Sequence, residues 1–194
     1  MSNPKQFDSL NALRGIAALG VAIFHFKPNW PGYLAVDFFF VLSGFILAHS
    51  YFLGGREVSF RLFLWHRVAR LYPLHLFSLG VFVLVHWLLF FSLPSYPSNP
   101  YALIQHLLLI NNIGLGGDEL TFNEPSWSIS VEFFVNILFF IFIGFDRLLL
   151  VLGALGMLGL AFHFGHLDLH YQNLFGYVNA GLIRCVFSFA IGVG

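Results

Sequence analysis

Seven apolar blocks, at about residues 10–26, 33–53, 71–93, 101–115, 128–145, 147–164 and 178–194, fill most of this 194-residue chain. Most have roughly the 17–25 residues with which an α-helix crosses a ~30 Å hydrocarbon core. Inside a bilayer every backbone polar group must be satisfied by protein, so only helices or a closed barrel can span it. A barrel needs short alternating strands, and runs such as LFSLGVFVLVHWLLFFSL (76–93) do not alternate. Only 9% of residues are charged and the mean hydropathy is +0.81, against roughly 25% charged residues in soluble domains. The expected fold is all-α: a polytopic transmembrane bundle of six to seven membrane segments, in one domain over 1–194.

The segments between the blocks carry turn chemistry: KPNWPG (27–32), LPSYPSNP (93–100) and GLGGDELTFNEP (114–125). The fourth block is short and follows Pro100, so it either spans or re-enters. The loop GGREVSFRLFLWHRVARLYP (54–73) holds Arg56, Arg61, Arg67 and Arg70, four of the nine basic residues. The positive-inside rule puts this loop in the cytoplasm, and with it the N-terminus. The first block has no signal-peptidase site after it and reads as a retained helix. A net charge of zero gives no electrostatic footprint for nucleic acid, and the lone Cys185 excludes an internal disulfide. The last block stops at Gly194 within an apolar run, as a fragment of a longer bundle would.

Ionisable residues inside such blocks are costly, and they usually face protein or a cavity. Arg14 and His25 stand eleven positions apart in the first block, ~16 Å along a helix and within ~20° of the same face. Arg14 either snorkels to headgroups or lines a path toward His25. His25 and Asp37 lie six residues either side of Pro31, hence at similar depth in an antiparallel hairpin. A carboxylate beside an imidazole fixes its tautomer and raises its basicity, as a general base requires.

Glu132 begins an apolar run in EPSWSISVEFF (124–134), with Trp127 and Ser128 close by. Ser128 is four residues before Glu132, which puts both on one helix face and rules out a capping box. Glu132 is then either functional or an acid favoured by its own helix N-terminus. Arg67 and Arg70, three apart with Trp65 and Tyr72 near them, suit a phosphate and a stacked base, or simply hold the loop inside. The cluster His163, His166, Asp168 and His170 has no second half to complete a metal set, and no metal is expected. His75 and His86 also repeat at eleven, but nothing else supports a role for them.

LNALRGIAALGVAIFHF (10–26), VDFFFVLSGFILAHSY (36–51), RVARLYPLH (67–75) and EPSWSISVEFF, in this order, resemble the acyltransferase-3 family of membrane O-acetyltransferase-like proteins. The resemblance covers most of residues 8–140, with Asn11 where Asp is common and Asn136 where Tyr often stands. It implies a bacterial inner-membrane enzyme. Such an enzyme takes an acyl group, usually acetyl, from cytoplasmic acyl-CoA and delivers it to a hydroxyl of a carbohydrate or lipid-linked glycan. It further implies that His25 is the catalytic histidine, Arg14 its partner, and Glu132 an essential acid. Arg67 and Arg70 would hold the donor or organise the cytoplasmic face, and further helices would follow residue 194.

The expected mechanism has His25 as general base, Asp37 or Glu132 orienting it, and Trp127 and Ser128 lining the pocket. No bound cofactor is needed beyond acyl-CoA as donor. An acyl-histidine relay is open as well. The rivals are a transporter or acyl conduit without chemistry of its own, and an inactive truncated remnant.

Overall fold

Helix α1 (Asp8–Phe26) carries the first block and ends at KPNWPG. Pro31 opens a single 3-10 turn, Pro31–Tyr33, and α2 (Leu34–Leu47) runs back along α1. The turn presses onto α1 at Gly32, where a Cβ would collide with the Gly20 carbonyl oxygen and sit 2.8 Å from Phe24 Cβ. Gly32→Ala is therefore expected to prise the hairpin apart just below His25. A melting temperature several degrees under the parent's in detergent would show it. The computed structural model describes residues 8–52, 58–96, 99–114, 121–142, 147–169, 172–174 and 178–194. Arg56 and His170 thus lie outside the described residues.

The stretch expected as a basic loop before residue 71 is largely helical. Helix α3 (Phe60–Phe90) starts at Ser59, whose hydroxyl accepts from the Leu62 amide, and passes through Pro73 without stopping. Its 31 residues make a rod of about 46 Å, longer than a ~30 Å hydrocarbon core. The arginines thus sit on helix rather than on a loop. Pro73 does not end it, because a helix in lipid has no better alternative for its backbone than to remain helical.

The fourth block contains only α4 (Ala102–Leu107), ~9 Å of helix and too short to cross. Helix α5 (Trp127–Phe142) follows a 3-10 turn at Glu124–Ser126. Tyr72 meets Phe133 and Phe63 stacks on Phe140 at 4.1 Å, so α3 and α5 run antiparallel. The connection between them therefore leaves and returns on one side of the bundle, and the block does not cross. Polar groups pin it there. His106 donates or accepts at Thr121 and Ser126, its carbonyl meets His75 Nε2 at 2.7 Å, and Ser130 donates to the Leu109 carbonyl.

Helix α6 (Leu148–Phe164) stops at Gly165, whose φ of 74° closes the helix in the left-handed region. A two-residue antiparallel ribbon, β1 (Asn173–Leu174) with β2 (Val178–Asn179), leads into α7 (Ala180–Val193). Asn179 caps α7 by accepting from the Gly181 and Leu182 amides.

Helices α2, α5 and α7 form the core, with Phe40, Leu47, Val131, Val135, Phe139 and Phe189 buried among them. Helix α7 lies parallel to α2, because Asp37 meets Arg184 while Gly44 meets Phe189 and Gly192 meets Val41. In lipid, apolar side chains gain little by leaving hydrocarbon for one another, so close backbone approach through small residues carries the association. Elsewhere the helices show lipid-facing surfaces: Leu13, Ile16, Leu19 and Ile23 on α1, and Phe77, Leu84 and Leu88 on α3, are exposed. Among the described residues three helices, Ser9–Phe26, Pro31–Tyr51 and Phe60–Phe90, are long and apolar enough to cross a membrane, and α6 and α7 are shorter apolar helices. The chain is an all-helical membrane protein apart from the ribbon.

Candidate active site

Helices α1, α2, α3, α5 and α7 line a half-open cavity of about 800 Å³. Helix α1 supplies Arg14, Ala18, Val21 and His25 to its wall, the i, i+4, i+7, i+11 stripe of one helix face. The eleven-residue spacing therefore does place Arg14 and His25 on a common surface. Arg70 and Leu74 come from α3, Tyr33 from the 3-10 turn, Phe40 from α2, and Trp127, Ser128 and Glu132 from the first turns of α5. Of the residues singled out in the sequence, Arg14, His25, Arg70, Trp127, Ser128 and Glu132 meet around this one space.

Charge is distributed unevenly along it. Arg14, Arg70 and Glu132 lie close enough for their charges to act on one another at one end. His25, eleven residues further along α1, stands at the other, beside the α1–α2 turn. Its ring is exposed, packs against Phe24 at 5.7 Å, and makes no hydrogen bond among the described residues. An imidazole so placed has both nitrogens available for a ligand. Glu132 accepts a 2.6 Å hydrogen bond from Ser43, which ties α5 to α2. Ser128 donates to the Pro125 carbonyl at 3.1 Å, and Trp127 packs edge-on to Phe40.

Two expected residues stand apart. Asp37 does not turn to His25: its Oδ1 accepts from Arg184 Nε at 2.8 Å and from Ser188 at 2.9 Å, and its Oδ2 from Arg184 Nη2 at 2.6 Å. The carboxylate expected to orient His25 is committed to α7 instead. A buried guanidinium on α7 needs a carboxylate, and α2 presents Asp37 toward it. Arg67 is 4% exposed and lies over the rings of Tyr51 and Phe63. Three residues of helix turn Arg67 about 60° away from Arg70, so the first arginine enters the core while the second reaches the cavity.

Sequence reading passed over Ser43, Tyr33, Glu124 and Arg184, and weighed Asp168 only as a metal ligand. Arg184 carried a signal, as the lone cation of the last apolar block. Ser43 carried none. His163, His166 and Asp168 do not gather: among the described residues no group of three or more His, Cys, Asp or Glu could hold a metal.

The chain matches the model of an acyltransferase domain family over residues 7–194. It is 33% identical over 156 residues to "Protein 2 in picA locus" of Rhizobium radiobacter, covering 70% of this chain and 81% of that protein. It is 36% identical over 124 residues to "Acyltransferase MdmB" of Streptomyces mycarofaciens, covering 59% of this chain and 29% of that one. With "O-acetyltransferase OatA" of Staphylococcus aureus it shares 34% identity over 95 residues, 46% of this chain and 16% of the other. The chain thus spans less than a third of the length of the last two relatives. No solved structure matches it. A helical membrane bundle with a charged internal cavity and a family match from residue 7 to residue 194 leave one assignment: the chain belongs to the acyltransferase-3 family.

Proposed function

We propose that this protein is a membrane O-acyltransferase that moves an acyl group, acetyl in the first instance, from acyl-CoA to a hydroxyl of a carbohydrate or lipid-linked saccharide. The observation that carries this reading is the single cavity joining Arg14 and Arg70 at one end to His25 at the other. CoA is a polyanion, and guanidinium groups suit its phosphates, while its thin pantetheine arm can reach along the cavity. At the far end His25 takes the proton of the acceptor hydroxyl as that oxygen attacks the thioester carbonyl. Glu132, bonded to Ser43, balances the arginines, and Trp127 offers an apolar wall.

In this reading the arginine-bearing start of α3 and the N-terminus face the cytoplasm, as the positive-inside rule places them, in a bacterial inner membrane. His25 then lies toward the outer leaflet, where an acceptor built beyond the membrane arrives. MdmB and OatA, named as an acyltransferase and an O-acetyltransferase, support the reaction class.

The test is transfer itself. Inverted inner-membrane vesicles from cells producing the full-length protein are given radiolabelled acetyl-CoA. Base-labile label in the saccharide fraction, with one CoA thiol released per ester formed, is the expected result. Label carried across the membrane without ester formation, or no label in any ester, would refute the reading in favour of a conduit.

A further inference from the structure

The two ends of the cavity differ in charge. Arg14, Arg70 and Glu132 act on one another at one end. Two further carboxylates, Glu124 and Asp168, also line the wall, and the helix directions place both at the other end. Phe40 meets Trp127 and Ser43 meets Glu132, so α5 runs parallel to α2 and antiparallel to α1. Glu124, eight residues before Glu132, is therefore ~12 Å further toward His25. Asp168 follows α6, and its neighbour Leu169 clusters with Ala180 at the start of α7. That start is level with the α1–α2 turn, where Arg184 meets Asp37 and Tyr33. Asp168 thus stands at the His25 end as well.

This end is built of hydrogen-bond acceptors. Glu124 is exposed and Asp168 half-buried, so a ligand in the cavity can reach both. Each already takes part in an interaction within the chain, but an ionised carboxylate has about four lone-pair sites and no donor. Arg184, the one arginine or lysine on the wall at this end among the described residues, is buried and clasped by Asp37. Lys27 belongs to the adjoining turn but not to the wall. Pro28, Tyr33 and Pro125 add apolar surface. A small-ligand site has this make-up, apolar walls with a few placed polar groups.

We infer that Glu124 and Asp168 read the acceptor. Their oxygens accept from its hydroxyls, in charge-assisted bonds stronger than neutral ones, and hold the reacting hydroxyl toward His25. The inference rests on the acyltransferase reading above and narrows its substrate class. An anionic group beside that hydroxyl would meet two carboxylates and no uncompensated arginine or lysine. Like charges brought together select against such a partner. The acceptor is therefore a saccharide that is neutral or cationic around its reacting hydroxyl, not a uronate, a sialate or a phosphorylated sugar. A lipid-linked acceptor must then offer a residue remote from its phosphate. The same carboxylates turn the CoA phosphates away, so the donor is confined to the arginine end.

Two measurements on the full-length protein in nanodiscs test this, with isotopically labelled acetyl-CoA as donor and saccharide extracted from the native host's membranes as acceptor. Tandem mass spectrometry identifies the sugar that carries the labelled ester. A neutral or amino sugar is expected; an anionic one overturns the inference. The second measurement uses Glu124→Gln/Asp168→Asn, which removes both charges at nearly constant volume. The KM for the extracted saccharide is expected to rise about tenfold or more, as the loss of charge-assisted hydrogen bonds implies. The KM for acetyl-CoA should stay within about threefold of the parent's, with the melting transition retained. An acceptor KM within about threefold overturns the inference, as does a loss confined to kcat or to the KM for acetyl-CoA. Should the double variant not fold, exposed Glu124→Gln alone supplies the readout, with the same threshold of about threefold. A parent protein that forms no ester refutes the acyltransferase reading instead. An active parent that esterifies an anionic sugar refutes only this one.

Discussion

His25→Ala is expected to reduce acyl transfer by at least about 10²–10⁴-fold, the contribution of a positioned general base, while leaving the protein folded in the membrane. The two halves of that expectation come from the same geometry. The His25 ring is exposed to the cavity, bonds to nothing else among the described residues, and touches Phe24 alone among neighbouring rings. Removing it breaks no hydrogen bond and opens no hole in the α2–α5–α7 core, so the melting temperature should stay within about two degrees, as is usual for surface substitutions away from such features. Chemistry and stability are then separable in a single variant. The rate is followed as CoA thiol release coupled to ester formation. Transfer at the parental rate would remove His25 from the mechanism.

The largest expected effect on stability is at the α2–α7 contact. Gly192→Leu drives a side chain into the Val41 carbonyl and toward the Phe45 amide. These are backbone atoms that cannot rotate away, so the helices must part. Overpacking typically costs about 1–3 kcal/mol, and more where the backbone has to move. The separation would also pull Arg184 from Asp37, adding the expense of unpaired buried charge. Gly159→Leu is the matched control, because nothing lies within 4 Å of a Cβ at that position. A fall of many degrees in melting temperature for Gly192→Leu, against no change for Gly159→Leu, is the expected outcome. Equal melting curves would mean that the helices do not depend on this approach.

Apolar run length made the helices legible, since a bilayer leaves a chain few other options. The Arg14–His25 face was legible for a similar reason, because helical periodicity within one segment is rigid. What failed to show was everything fixed between segments. Asp37 pairs with Arg184, 147 positions away, rather than with the histidine across its own hairpin. Two arginines three residues apart go to different environments, one into an aromatic nest and one into the cavity. Rotation of one helix about its axis relative to another decides both cases, and a single sequence does not record it. The basic stretch before residue 71 reads as a loop, yet α3 runs through it from Phe60. The fourth block was recognisable as short, but its anchoring by His75, His106 and Ser126 depends on contacts 20 and 31 residues apart.

The Asp37–Arg184 bridge has a consequence for biogenesis. A ribosome adding about 5–20 residues per second needs roughly 7–30 s to cover that interval. Throughout it, Asp37 has been made while the cation it will pair with has not. An early-inserted acid must therefore wait, sheltered by insertase, water or neighbouring protein, until the seventh helix arrives to dock. Completion of the cavity wall accordingly waits for α7, which brings Arg184 to it.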